Sequence, residues 1–288
     1  MRQLGLGDEW LAATVGAETA PAVRFSSFFP YVGNTLLIIP PRSLWPPLES
    51  SKIRYKSARF VPLSVVESLF GDKALDEDRW TVDGESECLL PQDNARGPFR
   101  VVLRENAGVD RLDGGNIDAH ATACLEFAHN AGLWTVVQFR DEDALSLWQE
   151  RVRSALLLLS DSGFGGERSR GWGRSEAPIW QPWSAPQTGE ESAENAYWLL
   201  SLYMPSPGDT VDWKRGNYAT VSRSGRVESS AGWGEPKQQS LMIAEGSVVF
   251  AGSQPSGAAR NVAPDGFPHP VYRSGFAIAI PIPWRVAA

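Results

Sequence analysis

Two rhythms of apolar residues run along this chain. Short apolar runs closed off by Gly, Pro or Asn read as strands. Residues 35–39 (TLLII) form one of these and stop at Pro40-Pro41, which bring no amide donors to a ladder. Residues 99–104 (FRVVLR) and 133–139 (LWTVVQF) form two more, and the segment between them, rich in Gly, Asp and Asn, reads as a hairpin or a long projecting loop over 106–127. Further strands are expected at 198–203, 218–222, 247–251 and 276–282. The helical rhythm is clear once, over 141–160. Leu145, Trp148, Val152, Ala155, Leu156 and Leu159 share one face, Asp141 can cap the start, two acids suit the first turn, and Gly163 ends it. Residues 1–26 carry few element signals. A polar stretch over 181–195 reads as a linker, with a β-rich half after it. Mixed strands with segregated helices make the expected class α+β.

Composition adds limits. The 288 residues give room for one large domain or two ordinary ones, and 42% apolar with 21% charged is an ordinary globular mixture. The chain has no run near the roughly 18–20 apolar residues of a membrane helix, and its start lacks the apolar core of a secretory signal. Two cysteines, Cys88 and Cys124, cannot form a disulfide framework or a four-thiolate zinc site. Twelve Trp suit core packing, and also base stacking or a carbohydrate-binding module.

A net charge of −7 argues against a protein that coats nucleic acid all over, but it permits a local basic cleft. Lys52, Arg54, Lys56 and Arg59 fall close together, and in a strand Lys52, Arg54 and Lys56 would share one face, as a solvated row or one that tracks phosphates. Residues 67–87, with eight acids against Lys73 and Arg79, read as a solvated acidic insertion or a contact to a basic partner.

Candidate chemistry concentrates at 163–174, Gly-Phe-Gly-Gly-Glu-Arg-Ser-Arg-Gly-Trp-Gly-Arg, directly after the helix. A dinucleotide fingerprint needs its glycines between a strand and a following helix, and a Walker loop needs Gly-Lys-Ser/Thr. Neither pattern is met. What the segment offers is backbone amides that can approach a phosphate closely, forked donors from Arg168, Arg170 and Arg174, and the ring face of Trp172 for a base. The plain alternative is a glycine turn with solvated arginines.

This segment resembles the glycine-rich loop of the RAMP superfamily of CRISPR proteins. Other runs narrow the likeness: Ser26-Ser27-Phe28-Phe29-Pro30-Tyr31, Arg59-Phe60-Val61-Pro62-Leu63, Asn106 with Val109-Asp110-Arg111, and Asn130-Ala131-Gly132-Leu133. So do Leu200-Ser201-Leu202-Tyr203-Met204-Pro205, Arg223-Ser224-Gly225, Glu245-Gly246-Ser247-Val248 and His269-Pro270-Val271-Tyr272-Arg273-Ser274-Gly275. The ordered set resembles the Cas-five-like subunit family of type III-A (Csm) effector complexes, the fourth Csm subunit.

The resemblance implies two ferredoxin-like (RRM-like) domains. One spans 1–185, with a thumb-like loop at 106–127 and the glycine-rich loop at 163–174. The other spans 196–288. It implies a non-catalytic cytoplasmic subunit that binds the 5′ tag of the CRISPR RNA (crRNA), joins the large polymerase-like Cas-ten subunit to the backbone RAMP (Csm-three-like) subunit, and meets target RNA indirectly. No cofactor, metal or membrane is implied. By carry-over, RNA contacts fall on Gly163, Gly165, Gly166, Arg168, Ser169, Arg170, Gly171, Trp172, Gly173 and Arg174, and on Arg111 in the thumb. Family members open with a strand and a helix that this sequence lacks, so the first domain is expected to be incomplete, with an upstream start or another chain supplying them.

The alternative function is a metal-independent endoribonuclease, which needs general acid–base groups near a 2′-hydroxyl. The chain has three histidines, His120, His129 and His269. His120, in the projecting loop, is the candidate, while His129 and His269 are expected to be structural.

Overall fold

In chain order the strands begin with β1 (Val23–Phe25), β2 (Phe29–Val32), β3 (Thr35–Ile38), β4 (Val61–Pro62) and β5 (Trp80–Asp83). Next come β6 (Cys88–Pro91), β7 (Phe99–Val109), β8 (Ile117–Phe127), β9 (Ala131–Trp134) and β10 (Val137–Phe139). The second half holds β11 (Ala196–Leu199), β12 (Val211–Asn217), β13 (Thr220–Arg223), β14 (Arg226–Ser229) and β15 (Gly232–Pro236). It continues with β16 (Ser240–Ile243), β17 (Val248–Ala251), β18 (Gly257–Asn261), β19 (Tyr272–Phe276) and β20 (Ala279–Pro281). The α-helices are α1 (Gly7–Ala13), α2 (Leu63–Phe70) and α3 (Glu142–Ser162). This computed structural model describes residues 1–17, 20–47, 53–94, 96–109, 117–186, 195–229 and 232–284. Among the described residues the strand ladders are all antiparallel, so the class is α+β as expected. None of the described helices is long and apolar enough to cross a membrane.

The chain divides into two compact units. One holds residues 28–135. Its main sheet has the order β4-β3-β2-β9. Trp134 on the edge strand donates its indole N–H to Leu37 O at 2.8 Å, so the ring is both packed and satisfied. α2 buries Val65, Val66, Leu69 and Phe70. The acidic 67–87 segment is more structured than an insertion: it includes the end of α2 and the β5–β6 hairpin. The Asp83 carboxylate accepts from Ser86 N at 2.9 Å and Ser86 Oγ at 2.6 Å at that turn. Cys88, Leu89 and Leu90 are fully buried, and burial pushes the Cys88 thiol up to about 12.

The expected cationic strand over 52–56 is corrected to a 3-10 turn, Ile53–Ser57. Buried Tyr55 sets it, its hydroxyl donating to Glu77 O at 2.6 Å, while Arg54 and Lys56 are exposed. Lys52 lies outside the described residues.

β7 and β8 form the expected hairpin, paired from Phe99↔Phe127 to Val109↔Ile117. Arg100 and Arg104 both pair with Glu126 on one face, and the other face leaves Val101, Leu103 and Leu125 exposed.

The second unit holds residues 1–27, 136–185 and 194–282. β1 pairs with β10. Ala22, Val23, Ala144, Trp148 and Val152 form a core, with Trp10, Phe25 and Leu156 packed against it. The first 26 residues thus hold a helix and a strand where few signals were expected. Asp8 and Glu9 suit the first turn of α1, and Trp10 meets Trp148 edge-on at 5.3 Å.

The sheet β12-β17-β11-β20 buries every residue of β11 and β17. This explains their unbroken apolar runs. Ser201 ties the rim, its Oγ donating to Phe276 O at 3.0 Å and accepting from Ile278 N at 2.9 Å. The hairpins β14–β15 and β18–β19 and the antiparallel pair β13–β16 complete this unit.

Candidate nucleic-acid interface

The loop at 163–174 starts from the end of α3. Asp141 caps that helix, accepting from Ala144 N at 2.8 Å, and buried Ala144, Trp148 and Val152 fix its inner face. At the other end Gly163 donates its N–H to Leu159 O and turns out of the helix with φ 89°.

Two glycines then close the loop on itself. Phe164 N donates to Gly173 O at 3.0 Å, and Ser175 N donates to Ser160 O at 3.1 Å. A Cβ on Gly163 would run into Trp172 O, and one on Gly173 (φ 73°) into Phe164 O. Both positions therefore need glycine for backbone crossing and for conformation. Gly165, Gly166 and Gly171 differ: a Cβ there would meet open space.

The tip is a 3-10 turn, Arg168–Arg170, opened by Glu167 at φ 57° and closed by Gly171. Arg168, Ser169, Arg170 and Arg174 are exposed, Trp172 is half-buried, and the Phe164 ring is 54% exposed. Three arginines and Glu167 leave a local charge of +2. The structure thus brings Gly163, Gly165, Gly166, Arg168, Ser169, Arg170, Gly171, Trp172, Gly173 and Arg174 together in one loop. Arg111 lies outside the described residues.

Two features escaped the sequence reading. Glu167 forms an ion pair with Arg170 at 3.1 Å, a spacing of i,i+3 that the sequence contains. Phe164, given no role from the sequence, presents an exposed ring in the same loop as the arginines.

The histidines fall in three different elements. His120 on β8 is exposed and sits opposite Asn106. His129 is exposed in the turn before β9 rather than packed. The His269 Nδ1 lies 3.0 Å from Pro270 O, and its ring meets Phe267 edge-on at 4.9 Å. Among the described residues, nowhere do three or more His, Cys, Asp or Glu side chains gather as a metal would need.

Comparison with known proteins adds three findings. Residues 192–282 match the family model of the CRISPR Csm4 C-terminal domain. The fold resembles a chain of the crystal structure of a Csm3-Csm4 subcomplex in the type III-A CRISPR-Cas interference complex, with TM-score 0.61 and 14% identity, covering 98% of this chain and 87% of that one. It also resembles a chain of the Csm1-Csm4 cassette crystallised in complex with cA4, with TM-score 0.58 and 16% identity, covering 100% and 87% of the two chains. A comparison with curated proteins gives no match. Residues 192–282 are thus similar in sequence to a Csm4 C-terminal domain, and the antiparallel α+β fold of the chain is similar to that of those two crystallised chains.

Proposed function

We propose that this protein is the RNA-binding scaffold subunit of a type III-A CRISPR interference complex, acting in antiviral defence in the cytoplasm. It binds the crRNA 5′ tag and joins the large polymerase-like subunit to the backbone RAMP subunit, and it does no catalysis of its own. Residues 1–185 serve as the N-terminal RAMP domain, with the β7–β8 hairpin as its thumb near target RNA, and 196–288 as the C-terminal RAMP domain. The matched crystal structures hold Csm4 with Csm1 in one case and with Csm3 in the other, which supports the two protein partners.

The observation that carries the RNA assignment is the loop geometry. Gly163 and Gly173 pin the ends, leaving Gly165, Gly166 and Gly171 open to an approaching ligand beside exposed Arg168, Arg170 and Arg174. Fixed amides with forked cations suit phosphate oxygens, and the Trp172 ring suits a base.

The test is binding of 5′-tagged crRNA by the full chain with its partners. Arg168→Ala with Arg170→Ala should weaken binding and lower the log–log salt slope by roughly 0.7 for each lost single-strand phosphate contact. The RNA should stay full-length on a gel, with or without divalent metal. An unchanged affinity and slope would remove this loop from the RNA site. Cleavage that His120→Ala abolishes would replace the scaffold reading with an endoribonuclease.

A further inference from the structure

A second cationic cluster lies on the C-terminal domain, around the Ser224-Gly225 turn between β13 and β14. Arg260 and Arg273 sit directly opposite each other in the β18–β19 ladder. Cross-strand partners share a face, and like charges there are unfavourable. Arg273 reaches the turn, its Nη2 donating to Ser224 O at 2.9 Å. Lys237 closes the other side, its N–H donating to Gly225 O at 2.8 Å. A Cβ on Gly225 would meet Arg273 Nη2 at 3.8 Å and Lys237 Cδ at 3.9 Å, so both side chains border one small turn. Arg223, the last residue of β13, is exposed at its start.

Two observations mark this cluster as unfinished. The Arg273 Nη1 is buried without a hydrogen-bond partner. Burial, then the charge of Arg223, lowers the affinity of Arg273 for its proton. Glu235 precedes Lys237 at the end of β15, and Asp265 follows Arg260 in the loop after β18. Asp265 accepts from Gln238 Nε2 at 3.1 Å, and among the described residues neither forms an ion pair with the four cations. A buried, unpaired donor facing like charges is a costly arrangement, and an anion held by the exposed Arg223 and Arg260 would offset the charge part of that cost.

We propose that Arg223, Lys237, Arg260 and Arg273 form a phosphate site for single-stranded RNA, in addition to the glycine-rich loop. The choice of RNA over an acidic protein rests on the RNA-binding reading above. It also rests on a shared construction, because a glycine-containing turn beside forked guanidinium groups is built at both places. The backbone phosphate, not the base, is the group recognised.

The experiment measures binding of a fluorescein-labelled single-stranded RNA to the full chain by anisotropy, between 50 and 300 mM salt. The variants are Arg223→Gln and Arg260→Gln, both at exposed positions, alone and with the loop substitutions Arg168→Ala and Arg170→Ala. Each cluster substitution should weaken RNA binding about five-fold at 0.1 M salt and reduce the salt slope by about 0.7, the value of one single-strand phosphate contact. Their effects should multiply with those of the loop, and the melting temperature should hold or rise, because a like charge has been removed. Inorganic phosphate should compete only at high millimolar levels. Saturation at micromolar phosphate, lost in Arg223→Gln, would make this a free-phosphate site and overturn the RNA assignment. Competition by polyglutamate, with no effect of either variant on RNA, would make the ligand an acidic protein. If the parent binds RNA and the loop variant weakens it while both cluster variants bind like the parent, the cluster proposal fails and the loop reading stands. If the parent binds no RNA, both fail.

Discussion

Asp209 gathers four donors onto one carboxylate. It accepts from Tyr203 Oη at 3.0 Å and from the backbone N–H groups of Ser206, Ser256 and Gly257 at 2.9 Å each. Burial pushes its carboxyl up, but the hydrogen bonds from Ser256, Ser206, Gly257 and Tyr203 outweigh burial and hold it below the usual carboxylate range. Tyr203 is moved the other way, upward, first by burial and then by the Asp209 charge. The signs fix a stability window. A carboxyl depressed in the folded state contributes stability that is present above its unfolded value, ~3.9, and lost as pH falls through the folded one. A raised tyrosine contributes stability that is present below its unfolded value, ~10, and lost as pH climbs past it. Asp209→Asn should therefore cost about 1–3 kcal/mol at pH 7 and flatten the acid limb of the stability curve. Urea denaturation of parent and variant at pH 7 and pH 3 checks both, and equal midpoints at pH 7 would show that the network contributes nothing. The same carboxylate explains why residues 203–209 hold their path without regular structure.

At the scale of elements, α3 is the part most legible from the sequence. Its cap, its first-turn acids and its Trp148–Val152 face are all local, and local signals survive folding unchanged. Trp148 is 2% exposed and packs with Trp10 and under the Arg151 guanidinium. Trp148→Ala should cost about 3–5 kcal/mol, measured by thermal or urea unfolding, and a loss under 1 kcal/mol would mean that α3 is not anchored there. The fully buried strands β11 and β17 were legible for the opposite reason, since burial on both faces leaves an unbroken apolar run. What escaped the sequence was set by distant partners. β12 reads VDWKRGN with mostly exposed residues, and it is a strand because it pairs with β17 across a register shift. The 53–57 segment has the alternation of a strand, yet buried Tyr55 reaching Glu77 O makes it a 3-10 turn. In the glycine loop, the density of Gly and Arg was visible. Which glycines close the loop was not, because Gly163 and Gly173 matter only once Phe164 N meets Gly173 O. The cluster around Arg273 was invisible for the same reason: its four cations come from separate strands and a connecting loop.

For the whole molecule, charge sets the terms on which RNA is bound. The chain carries −7 overall, and its proposed RNA contacts come from the +2 glycine loop and the four-cation cluster. Attraction is therefore local and repulsion is diffuse, and salt separates the two by range. At 0.1 M ionic strength the screening length is about 10 Å, so an RNA phosphate senses mainly the arginines beside it. Binding should then follow a straight log–log line with a slope near −0.7 per contact. At 0.01 M the screening length grows to about 30 Å, comparable to a domain, and the acidic remainder is felt as well. Lowering salt should thus strengthen binding less than the contact count implies, and the line should flatten below roughly 0.05 M. Anisotropy titrations of a short single-stranded RNA from 10 to 300 mM salt read this directly. A line that stays straight to the lowest salt would mean that the −7 is not felt at the binding site, and that the cationic groups alone govern the encounter with RNA.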